Sequence, residues 1–187
     1  MSEQKPLTRS EREAAIKDKA GLVIVVMALF LAVTTYFSNT YSGAVFKNML
    51  KATDTYAFFQ SKSIKQSLAE IQLDEAKRTK DTARAEKLEA KIARYESDPE
   101  KGEGKKELLA KAQAYEKARD EAALHTPWLT FALMAFQLAI VLLSASIIAV
   151  NPKMYKFSFY IAGTGVLLLL QGIWRSEEHT SELQSLR

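Results

Sequence analysis

The chain has no cysteine and only two histidines in 187 residues. The missing thiols exclude disulfides and thiol chemistry on either side of a membrane. His125 is surrounded by no clear set of metal ligands and no nucleophile to activate, so neither a metal nor a cofactor is expected. Serine, threonine and carboxylates are plentiful, yet none stands in a motif with a mechanism, and the chain does not read as an enzyme. The net charge of +4 invites a nucleic-acid reading. Against it, lysines alternate with acids through residues 80–107 (KDTARAEKLEAKIARYESDPEKGEGKKE). That is a solvated helical face, not a phosphate-binding stripe, and no nucleic acid is expected as a partner.

What the chain does have is three long apolar runs, residues 21–37, 128–150 and 157–174, without a single Asp, Glu, Lys, Arg or His inside them. Each reaches the length of a transmembrane helix. The lack of internal charge argues against a proton relay or an ion-coupled transporter. The expected fold is an all-α membrane protein with three transmembrane helices, residues 151–156 forming a short turn between the last two. An extramembrane antiparallel helical bundle or coiled coil fills residues 38–127, between the first and second spans.

Residues 1–20 lack the apolar core and small-residue cleavage site of a signal peptide, so the first run is expected to stay as an anchor. Ser10 with Glu13 fits a capping box opening the first helix. Lys5, Arg9, Arg12, Lys17 and Lys19 precede the first run, and Lys153 and Lys156 lie in the short turn. By the positive-inside rule the amino terminus and that turn face the cytoplasm and the central domain lies outside it, across a bacterial inner membrane. Residues 175–187 (RSEEHTSELQSLR) break sharply from the apolar segment and resemble the translation of a common sequencing adapter. They are set aside, His179 with them.

In the central domain, Phe46, Met49, Leu50, Thr53 and Ala57 recur at helical spacing. Leu88, Ile92 and Tyr95, and likewise Leu108, Ala112 and Tyr115, form short seams of coiled-coil type. Ser97-Asp98-Pro99 with Gly102 and Gly104 is the clearest break. A hairpin with its tip there would have very unequal arms. A turn near residues 79–82, capped by Asp81 or Thr82, balances them: a first helix rising about 50 Å is matched by two shorter segments returning. A rival arrangement lays residues 46–65 on lipid headgroups, where Lys47, Lys51, Lys62 and Lys65 outnumber Asp54.

The stretch ATDTYAFFQSKSIK, residues 52–65, is similar to the hallmark of DUF4337, a bacterial membrane family with no assigned activity. Phe136-Gln137 in the second span and Leu169-Leu170-Gln171-Gly172 in the third resemble the same family. The resemblance extends from the first span to Trp174 and implies the same three-span layout. Read physically, Tyr56, Phe59, Gln60 and Ser63 share one helical face while Phe58, Lys62 and Lys65 share another, with Asp54 beside them. One reading makes Asp54, Tyr56, Phe58, Phe59, Gln60, Lys62 and Lys65 a partner-binding surface; the other makes them a packing core with snorkelling lysines.

Inside the spans, Ala132, Ala135, Ala139, Ser146 and Ala149 form one small-residue stripe, interrupted by Leu142. Ser158, Ala162, Gly165 and Gly172 form another, interrupted by Leu169. Two such stripes predict close antiparallel packing of the second and third spans. Gln137 and Gln171 fall nearly opposite the stripes, at the same half of the bilayer as Thr34 and Thr35 of the first span, and are expected to meet the first span or a neighbouring protomer. Thr126 is the expected cap of the second span, Pro127 its first turn and Trp128 its interfacial residue. Two functions follow. One is a non-enzymatic protein in the lipid bilayer, a homo-oligomeric scaffold or a module binding another membrane protein; the alternative is a small pore or transport component around Gln137 and Gln171.

Overall fold

The structure is a computed structural model that describes residues 9–185. Its elements are α1 (Arg9–Arg78), α2 (Thr82–Glu96), α3 (Lys105–Ala123), α4 (Thr126–Ala149) and α5 (Pro152–Ser185), with no strand among the described residues. Three helices, α1, α4 and α5, are long and apolar enough to cross a membrane. In hydrocarbon a backbone must satisfy its own hydrogen bonds, and an unbroken helix does so. The chain divides into two compact units, Met1–Ser42 with Ala123–Arg187, and Gly43–Ala122. Helix α1 contributes to both.

In the first unit α4 and α5 pack against one another in a register that repeats every seven residues. Leu129, Ala132, Phe136, Ala139, Leu143 and Ser146 are buried on α4, and Ser158, Ala162, Gly165, Leu169 and Gly172 on α5. The helices run antiparallel. A Cβ at Gly172 would lie 3.0 Å from Leu129, and one at Gly165 would lie 3.0 Å from the Phe136 ring. Large side chains of α4 thus enter holes that glycine leaves on α5. The α5 stripe is the expected one, but the α4 stripe is turned: Ala135 is half-buried and Ala149 exposed, while Leu129, Phe136 and Leu143 take the seam. Small residues on one helix suffice for close approach when the other supplies knobs to fill the space.

Helix α1 joins this unit through Ala20 and Met27, both buried against the same cluster. Phe30 stacks on Phe136 with ring centroids 5.7 Å apart. Tyr41 stacks on His125 at 4.3 Å, so α1 runs antiparallel to α4. Two expected helix boundaries move. Ser10 is already helical, so it does not cap α1. Likewise His125, not Thr126, occupies the N-cap of α4, without a side-chain capping bond, and Pro127 sits in the first turn. The Thr126 hydroxyl is buried with no hydrogen-bond partner among the described residues.

The connection between α4 and α5 is shorter than residues 151–156. Val150 adopts a left-handed conformation, φ 48°, and its N–H bonds to the Ser146 carbonyl, as does the N–H of Asn151 at 3.2 Å. The Asn151 side chain then accepts from the Lys153 N–H at 3.0 Å, so α5 begins at Pro152 and Lys153 lies in its first turn. Helix α5 also continues past Trp174 into the segment set aside on sequence, ending at Ser185.

In the second unit α1 ends at a tight turn in which Lys80 is left-handed, φ 58°. Of the two candidate caps, Asp81 takes the role, accepting from the Arg84 N–H at 3.1 Å. Helix α2 then returns along α1: Leu88 is buried with Ala69 and Ala76, and Leu73, Ala85, Ile92 and Tyr95 pack around them. Helix α3 runs in the same direction beside an earlier part of α1, with Lys105 over the Phe59 ring at 6.0 Å and Tyr115 beneath Lys51 at 5.2 Å. The face drawn from Phe46, Met49, Leu50, Thr53 and Ala57 is exposed. Ala52, Phe59, Gln66 and Leu73, at intervals of seven, lie on the packed side instead.

Replacing Gly165 by valine is expected to force the Phe136 ring out of its hole and destabilise the detergent-solubilised protein by about 1–3 kcal/mol. Valine at Gly163, where an added Cβ meets nothing within 4 Å, should leave the melting temperature much less changed. Thermal melting of both variants measures the difference.

Candidate functional site

The 52–65 motif divides differently from its helical wheel. Tyr56 and Phe59 face α3, and the Tyr56 hydroxyl donates to Glu116 Oε2 at 3.0 Å. That bond raises the phenol above its ordinary value, because loss of its proton would set two negative oxygens side by side. Gln60, expected on the packing face, is exposed, as are Asp54 and Lys65. Lys62, expected on the outer basic face, is drawn inward, with 14% of its side chain exposed.

Three partners explain the position of Lys62. Its Nζ lies 3.5 Å from Glu103 Oε2, 5.1 Å from the centre of the Phe58 ring and 5.8 Å from that of Tyr95. A helix turning 100° per residue places position 62 between Leu73 and Ala69, on the packed side. The ammonium there is held by ring faces and one long ion pair. The motif therefore contributes a packed part (Tyr56, Phe59, Lys62) and an exposed part (Asp54, Phe58, Gln60, Lys65).

The break between α2 and α3 is built around Glu107. Its carboxylate accepts from the Ser97 hydroxyl at 2.6 Å and from the Asp98 N–H at 3.2 Å. These bonds, led by the Ser97 hydroxyl, hold its carboxyl below the ordinary value of 4.5. Gly104 lies so close to the backbone of Ser97 and Asp98 that a Cβ would collide with it, and Gly102 is left-handed, φ 64°. Across the same break Lys105 donates to Glu96 at 3.0 Å and lowers that carboxyl as well.

Within the first unit the four polar candidates part company. Thr34 is fully buried and its hydroxyl donates to the Phe30 carbonyl at 2.7 Å; Thr35 is exposed and donates to Leu31 at 2.8 Å. Gln137 and Gln171 are exposed on outward faces of α4 and α5, neither of them bonded to another helix among the described residues. The expected contact of these amides with the first span is not made, because the seam register turns both away from it.

His125 bridges helices instead. It is buried, its Nδ1 donates to the Gly172 carbonyl at 2.7 Å, and its ring lies on Tyr41. No periodicity marked it; the only sequence signal was a histidine beside the proline that opens a span.

A family model, the domain of unknown function DUF4337, matches residues 16–175. The chain belongs to the DUF4337 family. The match takes in both units of this DUF4337 chain and ends at the residue after Trp174, where the apolar part of α5 stops. No curated protein and no solved structure matches the chain.

His125→Ala is expected to remove the link to Gly172 and the Tyr41 stack together, costing roughly 1–3 kcal/mol, while His125→Phe should recover the stacking part. Thermal melting in detergent separates the two. For Glu107, whose folded carboxyl lies below 4.5, the stabilisation is present above that value and lost as pH falls through the lower folded one. An acid titration of helicity should therefore show a shallower loss in Glu107→Gln than in the unaltered chain.

Proposed function

We propose that this is a non-enzymatic, multi-pass membrane protein that assembles through the outer faces of its transmembrane helices, forming a homo-oligomeric scaffold or joining another membrane protein. The observation that carries this reading is Gln137, exposed within an otherwise apolar face of α4 and, among the described residues, without a bond to another helix; Gln171 is exposed likewise but lies beside Gly172, at the level of the interfacial Trp128. Neighbouring hydroxyls have no such need: Thr130, Ser144 and Thr164 each donate to a carbonyl one turn back, at 2.8, 2.9 and 2.9 Å. A glutamine amide in hydrocarbon must find its partner on another chain, at a cost of several kcal/mol if it does not.

The extramembrane helices serve in this reading as an antiparallel bundle that binds the partner, with Asp54, Phe58, Gln60 and Lys65 as its exposed motif residues. The lysines and arginines before the first span support an inner-membrane orientation with a cytoplasmic amino terminus. A pore formed by the three spans of one chain has less support, because its two glutamines would have to converge and both lie on outward faces. A path lined by them would need several copies.

The absence of cysteine makes the test clean. Single cysteines at Met134 and Val141, outward residues flanking Gln137 by one turn, should give disulfide-linked dimers in native membranes, or one dominant adduct identified by mass spectrometry. Adding Gln137→Leu should weaken association by about 1–2 kcal/mol, roughly tenfold. A chain that stays monomeric from both positions, with or without Gln137, overturns the proposal.

A further inference from the structure

Helix α2 presents three cations to one cavity. Lys87, Lys91 and Arg94 follow at steps of four and three, which puts them on one face of the helix. With Lys62 of α1 they line a cavity of about 370 Å³. Like charges at this spacing repel, and the structure offers little to offset them. The carboxylate lining the cavity, Asp98, is taken by Arg94 at 3.6 Å. Glu103 reaches Lys62 at 3.5 Å but is itself half exposed. Lys62 and Lys91 share the Tyr95 ring, at 5.8 and 5.9 Å from its centre, and Lys62 also lies 5.1 Å from the centre of the Phe58 ring. Lys87 forms no ion pair among the described residues. Four cations therefore stand against two carboxylates, in a concave space lined by residues of two helices.

We propose that this cavity binds a compact anion bearing more than one phosphate group. A volume of about 370 Å³ falls within the range of small-molecule sites and exceeds what a single phosphate fills. The donors suit that chemistry: ammonium groups act as mobile point charges, and the Arg94 guanidinium supplies a planar fork able to hold two phosphate oxygens at once. The cations converge on one concavity and do not run along a surface, which favours a small polyanion over a polymer backbone. Binding would relieve the repulsion along α2 and join α2 to α1 across the cavity. The phosphates could belong to a soluble molecule or to a phosphorylated lipid headgroup, and the site is the same for either.

The test is calorimetric titration of the full chain in uncharged detergent with inorganic pyrophosphate, paired with binding to neutral nanodiscs with and without a phosphoinositide. Saturable pyrophosphate binding in detergent identifies a soluble ligand. Binding that appears only with the phosphoinositide identifies a headgroup, and either supports the site. In both cases Lys87→Gln and Arg94→Gln should each weaken binding about tenfold, the scale of one charge-assisted contact. Lys111→Gln, an exposed cation on α3 away from the cavity, should leave it unchanged. Lys87 is the safer variant, since it has no ion pair to lose. Helicity and melting temperature confirm that each variant is folded. No saturable binding in either arm, or an equal loss in Lys111→Gln, overturns the proposal.

Discussion

The close approach of α4 to α5 depends on two missing side chains. Gly165 and Gly172 leave spaces on α5 that Phe136 and Leu129 fill, and this fixes the rotation of both helices about their axes. Much else in the first unit follows. Phe136 reaches through to Phe30 of α1, so the third helix is oriented by the same ring. With the seam committed to positions 129, 132, 136, 139, 143 and 146, Gln137 has no choice but to face outward. In a bilayer, where burial of apolar surface between helices supplies little, such shape matching is the main source of specificity.

The second unit relies on a different device. Its seam contains Lys62 and Gln66, polar residues that an apolar seam would exclude, and Gln66 Oε1 is buried without a partner among the described residues. The ammonium of Lys62 is held by rings and Glu103, while Tyr56 and Glu116 join α1 to α3 through a charge-assisted bond. Polar seams of this kind cost stability relative to apolar ones but restrict register, because a slip leaves each polar group unpaired.

A good part of this was legible in the residues. The apolar runs, the α5 stripe from Ser158 to Gly172, the break at Ser97–Gly104 and the Asp81 cap each depend on local chemistry, which sequence records directly. The α4 stripe was misread because alanines stand in two adjacent columns. Which column is buried was decided by the glycines of another helix. Lys62 was misassigned because charge suggested the surface, whereas its angular position between Leu73 and Ala69 put it inside. The face from Phe46 to Ala57 recurs at helical spacing yet is exposed, because periodicity shows that a face exists and not that anything covers it. His125 carried no periodic signal at all. Its role depends on the Gly172 carbonyl and on Tyr41, neither near it in the chain.

The bond from His125 Nδ1 to Gly172 has one more consequence. A carbonyl only accepts, so the hydrogen resides on Nδ1 and the ring is the donor. The fastening between the start of α4 and the apolar end of α5 is therefore directional: it sets the rotation of the imidazole as well as its position, and so the face that the ring turns to Tyr41.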